Sequence, residues 1–584
     1  MVKRFLISCG IAFAALAAKA TPDDSIKVVK GQVSDYYITV TQDRIVKGHV
    51  LDTNRQPLAG ATVMFFASPM HNTTAHDGSF AIKGAKNDVH LYVYYPGKKI
   101  VNRILALDET DIEVVMEEEV HKATAIRRPA QATRWYDPQA PLSRTFCNPM
   151  NISYNFEPFN NNVRPNGSFR SSADPMAVEL DRNDFYPISK IHDVMMLRPE
   201  EHGWERFGMN NDDEVTLRPF TEGAYMTKHN GKYYFQYGAP GTEFKVYADG
   251  VYVSDSPLGP FVYQKHNPMC YKPGGYVQGA GHGGTFCDVK GNYWHVATCM
   301  LSLKYKFERR IGLYPVAFDK DGVMYSSTAF GDYPNWAEPM DVKNPAERFT
   351  GWMLLSYGKP VEVSSTDSIH AASNLTDESM RTYWAARSGN PGEWAGIDLG
   401  STKNVRAVQL NFYDHKAVQY NRAMDIYHQY RIFASEDGKE WTLVIDKSDS
   451  DKDCPHDYIE LNEPLRARYL KYENVHMPTG NVALSGFRVF GNGDGDVPQA
   501  VKGLTVKRDR KDRRNALISW QPEASAYGYN IYYGTAEGKM YNAITVLGQT
   551  EYDFRGLDAD TDYYFTIEAL NENGRSPLCK MTKN

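Results

Sequence analysis

The stretch from Thr221 to Phe261, TEGAYMTKHNGKYYFQYGAPGTEFKVYADGVYVSDSPLGPF, carries the clearest fold signal in the chain. A carboxylate, Glu222, stands before a glycine, and an aromatic segment containing Asn230-Gly231 follows it. An Asn-Gly pair between β-forming residues is a strong sign of a two-residue hairpin turn. A further strand, VYVSDS, leads into the turn PLGP at residues 257–260. The pattern predicts an antiparallel β-meander that begins with an acid.

The composition of the whole chain favours several β domains. A length of 584 residues exceeds one ordinary domain and suggests about three to five. The 39 tyrosines and the short apolar runs split by Gly, Asn and Asp favour many short strands. The net charge is −6 with mixed signs and no basic stripe, so nucleic acid is not the expected partner.

The N-terminus has the features of an export signal. MVKRFLISCGIAFAALAAKA combines two cations, an apolar core and Ala-Lys-Ala, which predicts cleavage near Ala20 and a periplasmic, cell-surface or secreted protein. A membrane anchor is the alternative, but the apolar stretch is short for a span. The LISC run ending at Cys9 resembles a bacterial lipoprotein box, so lipid attachment stays open. No other segment is apolar for long enough to cross a membrane.

The cysteines permit two interpretations. Six remain after the predicted signal, and none forms a CxxC pair, which makes a zinc knuckle an unlikely use of them. In an exported protein some could pair, for example Cys287 with Cys299. Small buried thiols within strands are the alternative.

Three parts of the chain resemble accessory β domains. IVKGHVLD, PLAGATV and DGSFAIKG resemble the carboxypeptidase regulatory-like sandwich, without any peptidase motif. SNLTDESMRTYWAA, GEWAGIDLG, YRIFASEDGKEWTLV and GFRVFG resemble the F5/8 type C, or discoidin, jelly-roll. ALISWQP, YGYNIYYG and DTDYYFTI resemble a fibronectin type III sandwich, for which a spacer or docking role is expected.

The central segment resembles glycoside hydrolase family 43, a five-bladed β-propeller. The resemblance is carried by the acid, the hairpin, SPLGPF and GAGHGGTF in this order. It implies inverting hydrolysis of O-glycosidic bonds in polysaccharide side chains, of arabinofuranosidase, xylosidase or galactosidase type. Asp174, in ADPMAVE, matches the general base, and Glu222 matches the general acid. His282 matches a histidine that contacts a metal ion or its water in many members, and Ca²⁺ is the ion expected.

Hydrolysis of this kind places requirements on the site. Two carboxyl groups stand about 6.5–9.5 Å apart, one to protonate the departing oxygen and one to activate water. The acid needs a raised pKa, supplied by burial or by a neighbouring carboxylate. Trp204 and Tyr247 are candidates for an aromatic platform beneath the sugar, with core packing as the alternative for each.

The central segment is short for its resemblance. Only 48 positions separate Asp174 from Glu222, where the family has a third acid and further blades. Asp193 is the nearest candidate for that acid. We therefore expect an incomplete propeller. The alternative function is a catalytically inactive glycan-binding or cell-surface protein with a degenerate propeller.

The jelly-roll resemblance implies a second calcium position. Asp377 and Thr382 match a loop that often holds the ion, but Ser485 and Gly486 stand where an acidic residue is usual. Taken together, the sequence predicts an all-β multidomain protein. Its predicted parts are a signal peptide (1–20), a linker (21–42), a sandwich (43–118), a second linker (119–144), a propeller (145–346), a discoidin domain (347–492) and a fibronectin type III domain (493–584).

Overall fold

The computed structural model of the chain is built almost wholly from strands, and the predicted all-β fold is confirmed. It describes residues 26–29, 37–40, 43–65, 71–85, 89–118, 144–150, 194–213, 219, 221–300, 309–338, 340–416, 427–452, 454–478 and 480–584. The predicted signal, Asp174 and Asp193 lie outside these residues. No helix in the described part is long and apolar enough to cross a membrane.

The N-terminal sandwich encloses a core of its own. An antiparallel pair, β1 (Ile26–Val29) and β2 (Tyr37–Val40), precedes it, within the stretch predicted as linker. One sheet has the order β6-β3-β9 and the other β5-β4-β7-β8. The strands are β3 (Asp43–Asp52), β4 (Thr62–Phe65), β5 (His71–Thr73), β6 (Ser79–Ala85), β7 (His90–Tyr94), β8 (Val101–Ile104) and β9 (Asp111–Met116). Alternate apolar residues of both sheets fill the space between them.

The central region contains two four-stranded antiparallel blades. The first is β11 (Glu222–His229), β12 (Lys232–Ala239), β13 (Ala248–Ser254) and β14 (Val262–Tyr263); the second is β16 (Gln278–Cys287), β17 (Tyr293–Met300), β18 (Arg309–Phe318) and β19 (Met324–Ser326). A parallel bridge between Ala248 and Ala280 joins them. Asn230 and Gly231 take φ of 47° and 83°, which confirms the predicted hairpin turn. Short strands β10 (Thr145–Phe146), β15 (Cys270–Tyr271) and β20 (Asn335–Trp336) complete the region.

The third domain is a jelly-roll-like sheet assembly, where the sequence resembles a discoidin domain. Its two longest strands pair antiparallel and run through its core. The strands are β21 (Met353–Leu354), β22 (Val361–Val363), β23 (Trp384–Ala385), β24 (Trp394–Phe412), β25 (Gln429–Ser435), β26 (Thr442–Asp446), β27 (His456–His476) and β28 (Ala483–Asn492).

The C-terminal sandwich pairs a three-stranded sheet with a five-stranded one. Trp520 and Tyr563 are buried in its core, and the Asp558 backbone N–H donates to the Tyr563 hydroxyl over 3.1 Å. Its strands are β29 (Thr505–Arg508), β30 (Ala516–Ser519), β31 (Gly528–Gly534), β32 (Asn542–Leu547), β33 (Glu551–Phe554), β34 (Tyr564–Asn571), β35 (Gly574–Arg575) and β36 (Thr582–Lys583).

The C-terminal sandwich shares one apolar core with the first blade. Trp204 and Tyr271 of the central region belong to the same buried cluster as Phe554 of the sandwich. The backbones of the central region and the sandwich are also in contact, because the Gly203 N–H donates to the Leu557 carbonyl over 3.0 Å. A side chain at Gly203 would place its Cβ 2.6 Å from that same oxygen. The sandwich is therefore docked as part of the central region.

The cysteines are free thiols in the described residues. Cys287 is exposed at the end of β16, whereas Cys299 is buried within β17, so the pairing of these two is not formed. Burial raises the pKa of the Cys299 thiol to about 12. The interpretation as buried thiols within strands therefore describes this cysteine.

Buried charges meet where the central region, the jelly-roll and the C-terminal sandwich come together. The Lys272 ammonium lies 3.2 Å from Asp332, and both side chains are almost wholly buried. The same ammonium donates to the Thr545 hydroxyl of the C-terminal sandwich over 3.3 Å. Nearby, the Arg488 guanidinium of β28 binds the buried Glu378 carboxylate and stacks 4.4 Å above the Tyr276 ring.

Arg488→Met should destabilise the protein strongly, because it leaves the Glu378 carboxylate buried without its cation. Removing one partner of such a pair typically costs about 3–5 kcal/mol of unfolding free energy. Chemical unfolding measures the loss. The control is Arg466→Met, whose pair with Asp494 is half exposed and should contribute no more than about 1 kcal/mol. Equal small losses in both variants would contradict a structural role for the buried pair.

Deletion of residues 497–584 should leave the central region aggregation-prone, because the buried faces of Trp204 and Tyr271 lose their cover. Size-exclusion chromatography and binding of an apolar dye measure this outcome. Deletion of residues 1–118 is the control, since the N-terminal sandwich has a separate core. A monodisperse, dye-free protein after the C-terminal deletion would refute the shared core.

Candidate active site

The candidate acid Glu222 lies at the start of β11 and is largely buried. The Tyr247 hydroxyl donates a hydrogen bond to its Oε1 over 2.8 Å. The His282 Nδ1 stands 3.4 Å from its Oε2. The structure thus brings together three of the residues singled out in the sequence: Glu222, Tyr247 and His282.

Glycines make room for this cluster. A Cβ at Gly223 would lie 2.6 Å from the His282 Cα, and one at Gly281 would lie 2.8 Å from the Tyr247 ring. A Cβ at Gly238, the residue paired with Glu222 across the hairpin, would lie 2.8 Å from the Tyr247 hydroxyl. These distances are shorter than any ordinary Cβ contact. The glycines around the acid and in the GAGHGG run are therefore required by the close approach of the two blades.

The groups around Glu222 shift the pKa of its carboxyl in opposite directions. Burial by itself raises the pKa of the Glu222 carboxyl, but the His282 ring at 3.4 Å, the hydrogen bond from Tyr247 and the positive charge of Arg309 outweigh it, so this pKa lies below its ordinary value. The same burial and the Glu222 charge raise the pKa of the Tyr247 phenol well above its ordinary value, which keeps it a donor. The described surroundings hold Glu222 as a carboxylate at neutral pH.

A general acid in this position needs a further carboxylate to raise its pKa. Asp174 and Asp193, the two candidates for base and third acid, lie outside the described residues. The assignments of Asp174 and Asp193 stay predictions.

The two aromatic platform candidates are buried. Trp204 has no exposed surface; its indole N–H donates to the Tyr263 hydroxyl over 3.0 Å, and its ring packs in the core shared with the C-terminal sandwich. Tyr247 is 1% exposed and serves Glu222 instead. Neither ring offers a free face to a sugar in this arrangement, because Trp204 packs in the shared core and Tyr247 is enclosed beside Glu222.

The described residues contain no cluster of three His, Cys, Asp or Glu side chains that could hold a calcium ion. In the jelly-roll loop, both Asp377 oxygens accept hydrogen bonds, from the Ser379 N–H and from the Thr382 hydroxyl. Glu378 turns instead to Arg488. Calcium at His282 or at Asp377 and Thr382 stays a prediction, and no chemical step is derived through it.

Three residues at the site were not among the candidates that the sequence motifs indicated. Arg309, at the start of β18, contributes positive charge to Glu222 and Tyr247. Asp249 and His295 lie behind His282, and neither has any exposed surface. The structure aligns Asp249 with the acid, since Asp249 pairs with Gly238, which in turn pairs with Glu222 after an irregularity in the hairpin register.

Comparisons with known proteins agree with the three resemblances. Residues 202–324 match Glycosyl hydrolases family 43, residues 360–486 match the F5/8 type C domain, and residues 498–582 match the Fibronectin type III domain. Each match lies inside the limits predicted for that domain.

Two curated relatives are similar over parts of the chain. One is a xylosidase/arabinosidase of Bacteroides ovatus, 49% identical over 49 residues, which are 8% of this chain and 14% of the relative. The other is xylosidase/arabinosidase 43A of Humicola insolens, 30% identical over 159 residues, 27% of this chain and 44% of the relative. The chain spans less than half the length of either relative. A solved glycoside hydrolase covers 53% of this chain and 65% of its own at 20% identity, with a TM-score of 0.31.

The fold and the site define a multidomain β protein with a buried, glycine-lined carboxylate in its central region. More particularly, the chain carries a segment that matches Glycosyl hydrolases family 43, followed by segments that match the F5/8 type C domain and the Fibronectin type III domain.

Tyr247→Phe should raise the pKa of the Glu222 carboxyl. Burial, which raises this pKa, is then opposed by one hydrogen bond fewer. The carboxyl consequently keeps its proton to higher pH than in the parent protein. ¹³C NMR of glutamate-labelled protein measures the change, with the Glu222 signal assigned by its absence from Glu222→Gln. A downward move of the titration in Tyr247→Phe would contradict the role given to the phenol.

Proposed function

We propose that the chain is an exported glycoside hydrolase that cleaves O-glycosidic bonds of polysaccharide side chains, of the xylosidase or arabinofuranosidase type, with a galactosidase as the further possibility. One observation carries the proposal: a buried carboxylate, Glu222, is held by Tyr247 and His282 in a glycine-lined cluster inside the segment that matches family 43. The two relatives named as xylosidase/arabinosidase support the sugar class.

In this proposal Glu222 donates a proton to the departing oxygen and Asp174 activates water. The Tyr247 hydroxyl fixes one Glu222 oxygen, and the His282 ring faces the other, so the carboxyl has one orientation. Proton transfer from a positioned side chain contributes about 10²–10⁴ in rate. Calcium near His282, where the family has it, would supply charge and orientation only. The F5/8 type C domain would hold the polysaccharide, and the export signal would place the enzyme beyond the inner membrane.

A second function, glycan binding without cleavage, is favoured by the electrostatics of Glu222. A carboxyl whose pKa lies below its ordinary value is a good hydrogen-bond acceptor for sugar hydroxyls and a poor proton donor. This function needs neither Asp174 nor a third acid.

Hydrolysis of 4-nitrophenyl arabinofuranoside, xyloside and galactoside by the purified protein tests the proposal. Release that falls about 10²–10⁴-fold in Glu222→Gln is the expected result. Glu205→Gln is the matched control, because Glu205 is also buried on a tyrosine hydroxyl, Tyr237, and burial raises its pKa to about 7, so an amide is a close substitute.

The outcomes separate the two functions. Release equal in Glu222→Gln and the parent protein would remove Glu222 as the acid. Absence of release together with retardation of the parent protein on an arabinan or xylan gel would establish binding without cleavage.

A further inference from the structure

Asp249 occupies a buried position directly behind His282. It lies in β13 and has no exposed surface. Its Oδ1 accepts the His282 backbone N–H over 2.8 Å, and its Oδ2 accepts the Gly283 backbone N–H over 2.8 Å. Both oxygens of one carboxylate thus bind two successive N–H groups of the Gly-His-Gly run. Successive backbone N–H groups that converge on one anion form a well-known kind of anion-binding concavity.

This contact explains an unfavourable backbone conformation. His282 has a φ of 56°, in the left-handed region that non-glycine residues rarely adopt. Such a conformation persists only where the surroundings over-determine it, and it concentrates at functional sites. The Asp249 carboxylate supplies that constraint, because its two hydrogen bonds fix the orientation of both peptide groups.

A second buried chain holds Asp249 itself. The His295 Nε2 lies 2.8 Å from the Asp249 Oδ2, and its Nδ1 lies 2.9 Å from the Thr285 hydroxyl. That hydroxyl donates to Gln236 over 2.6 Å. The packing admits only a glycine beside it, since a Cβ at Gly283 would lie 2.2 Å from the His295 Nε2. The Asp249 carboxylate of the first blade is therefore fixed by three groups of the second blade, the His282 and Gly283 backbone N–H groups and the His295 ring.

We propose that Asp249, supported by His295, is the positioning residue of this site, which sets the His282 ring against Glu222. The proposal rests on the proposed function for its consequence in catalysis. One row of paired residues crosses β11, β12 and β13: Glu222, Gly238 and Asp249. The acid Glu222 is therefore at one end of this row, and Asp249, which holds His282, is at the other. Asp249 touches neither the sugar nor the departing oxygen in this scheme; it acts through His282.

Asp249→Asn in the full chain tests the proposal. An amide keeps the shape but offers an N–H₂ to one of the two backbone N–H groups, so the His282 segment should move. A misplacement of about 1 Å can lower activity about 100-fold. We expect that loss of kcat/KM on phenyl glycosides, with a smaller loss on 2,4-dinitrophenyl glycosides, whose departing phenolate needs no proton. Glu205→Gln, a buried carboxylate outside the row, should leave the ratio of the two substrates unchanged.

A crystal structure of Asp249→Asn gives a readout that does not depend on activity. We expect the φ of His282 to leave the positive region and its Nδ1 to move out of reach of Glu222. An unchanged His282 in that structure, or equal losses on both substrates, would overturn the proposal. If the parent protein hydrolyses neither substrate, the proposed function fails and the crystal structure alone decides on Asp249. If Asp249→Asn does not fold, His295→Gln takes its place with the same expected displacement.

Discussion

Two buried ion pairs lie where three domains meet: Lys272 with Asp332 inside the central region, and Arg488 with Glu378 inside the jelly-roll. Charges removed from water carry a large desolvation penalty, which is offset only when their partners stand in a fixed geometry. Because Arg488 of the jelly-roll also stacks on Tyr276 of the central region, a displaced jelly-roll would keep its ion pair but lose the ring that covers the guanidinium. The contacts of these charged groups across the domain boundaries, Arg488 with Tyr276 and Lys272 with Thr545, therefore favour one docking geometry, which apolar contact alone would not specify.

The core shared with the C-terminal sandwich covers apolar surface that a short propeller would leave exposed. Isolated blades expose apolar faces and strand edges, which favour aggregation. Here the face that carries Trp204 and Tyr271 is covered by the sandwich, and Arg206 extends the contact with an ion pair to Asp512 over 3.0 Å. The accessory domain thus contributes stability to the region that holds the candidate site.

Local signals in the sequence predicted the strands and turns, whereas contacts between residues distant in sequence determine which side chains meet at the site. Asn230-Gly231 fixed the hairpin, and the glycines beside His282 indicated close approach. Counting from the turn, however, would have set Glu222 opposite Ala239. An irregularity between Glu222 and Tyr225 shifts its partner to Gly238. That shift aligns the acid with Asp249, and no period-2 pattern records it. Core packing was one of the two interpretations of Trp204 from the sequence, but what covers the ring could not be predicted, because its cover comes from a domain some 300 residues away in sequence.

The choice between cleavage and binding depends on whether a further carboxylate stands near Glu222. Among the described residues, the His282 ring, the hydrogen bond from Tyr247 and Arg309 hold the pKa of the Glu222 carboxyl below its ordinary value, although burial opposes them. An ionised carboxylate about 5 Å away would destabilise the Glu222 anion by about 3 kcal/mol at an effective dielectric constant of about 20. A hydrogen bond to a charged group contributes about 1.5–3 kcal/mol. One such carboxylate is therefore enough to offset the hydrogen bond from Tyr247. A single acid brought near Glu222 would raise the pKa of its carboxyl and so move a sugar-accepting carboxylate toward a proton donor, without any other change in the cluster.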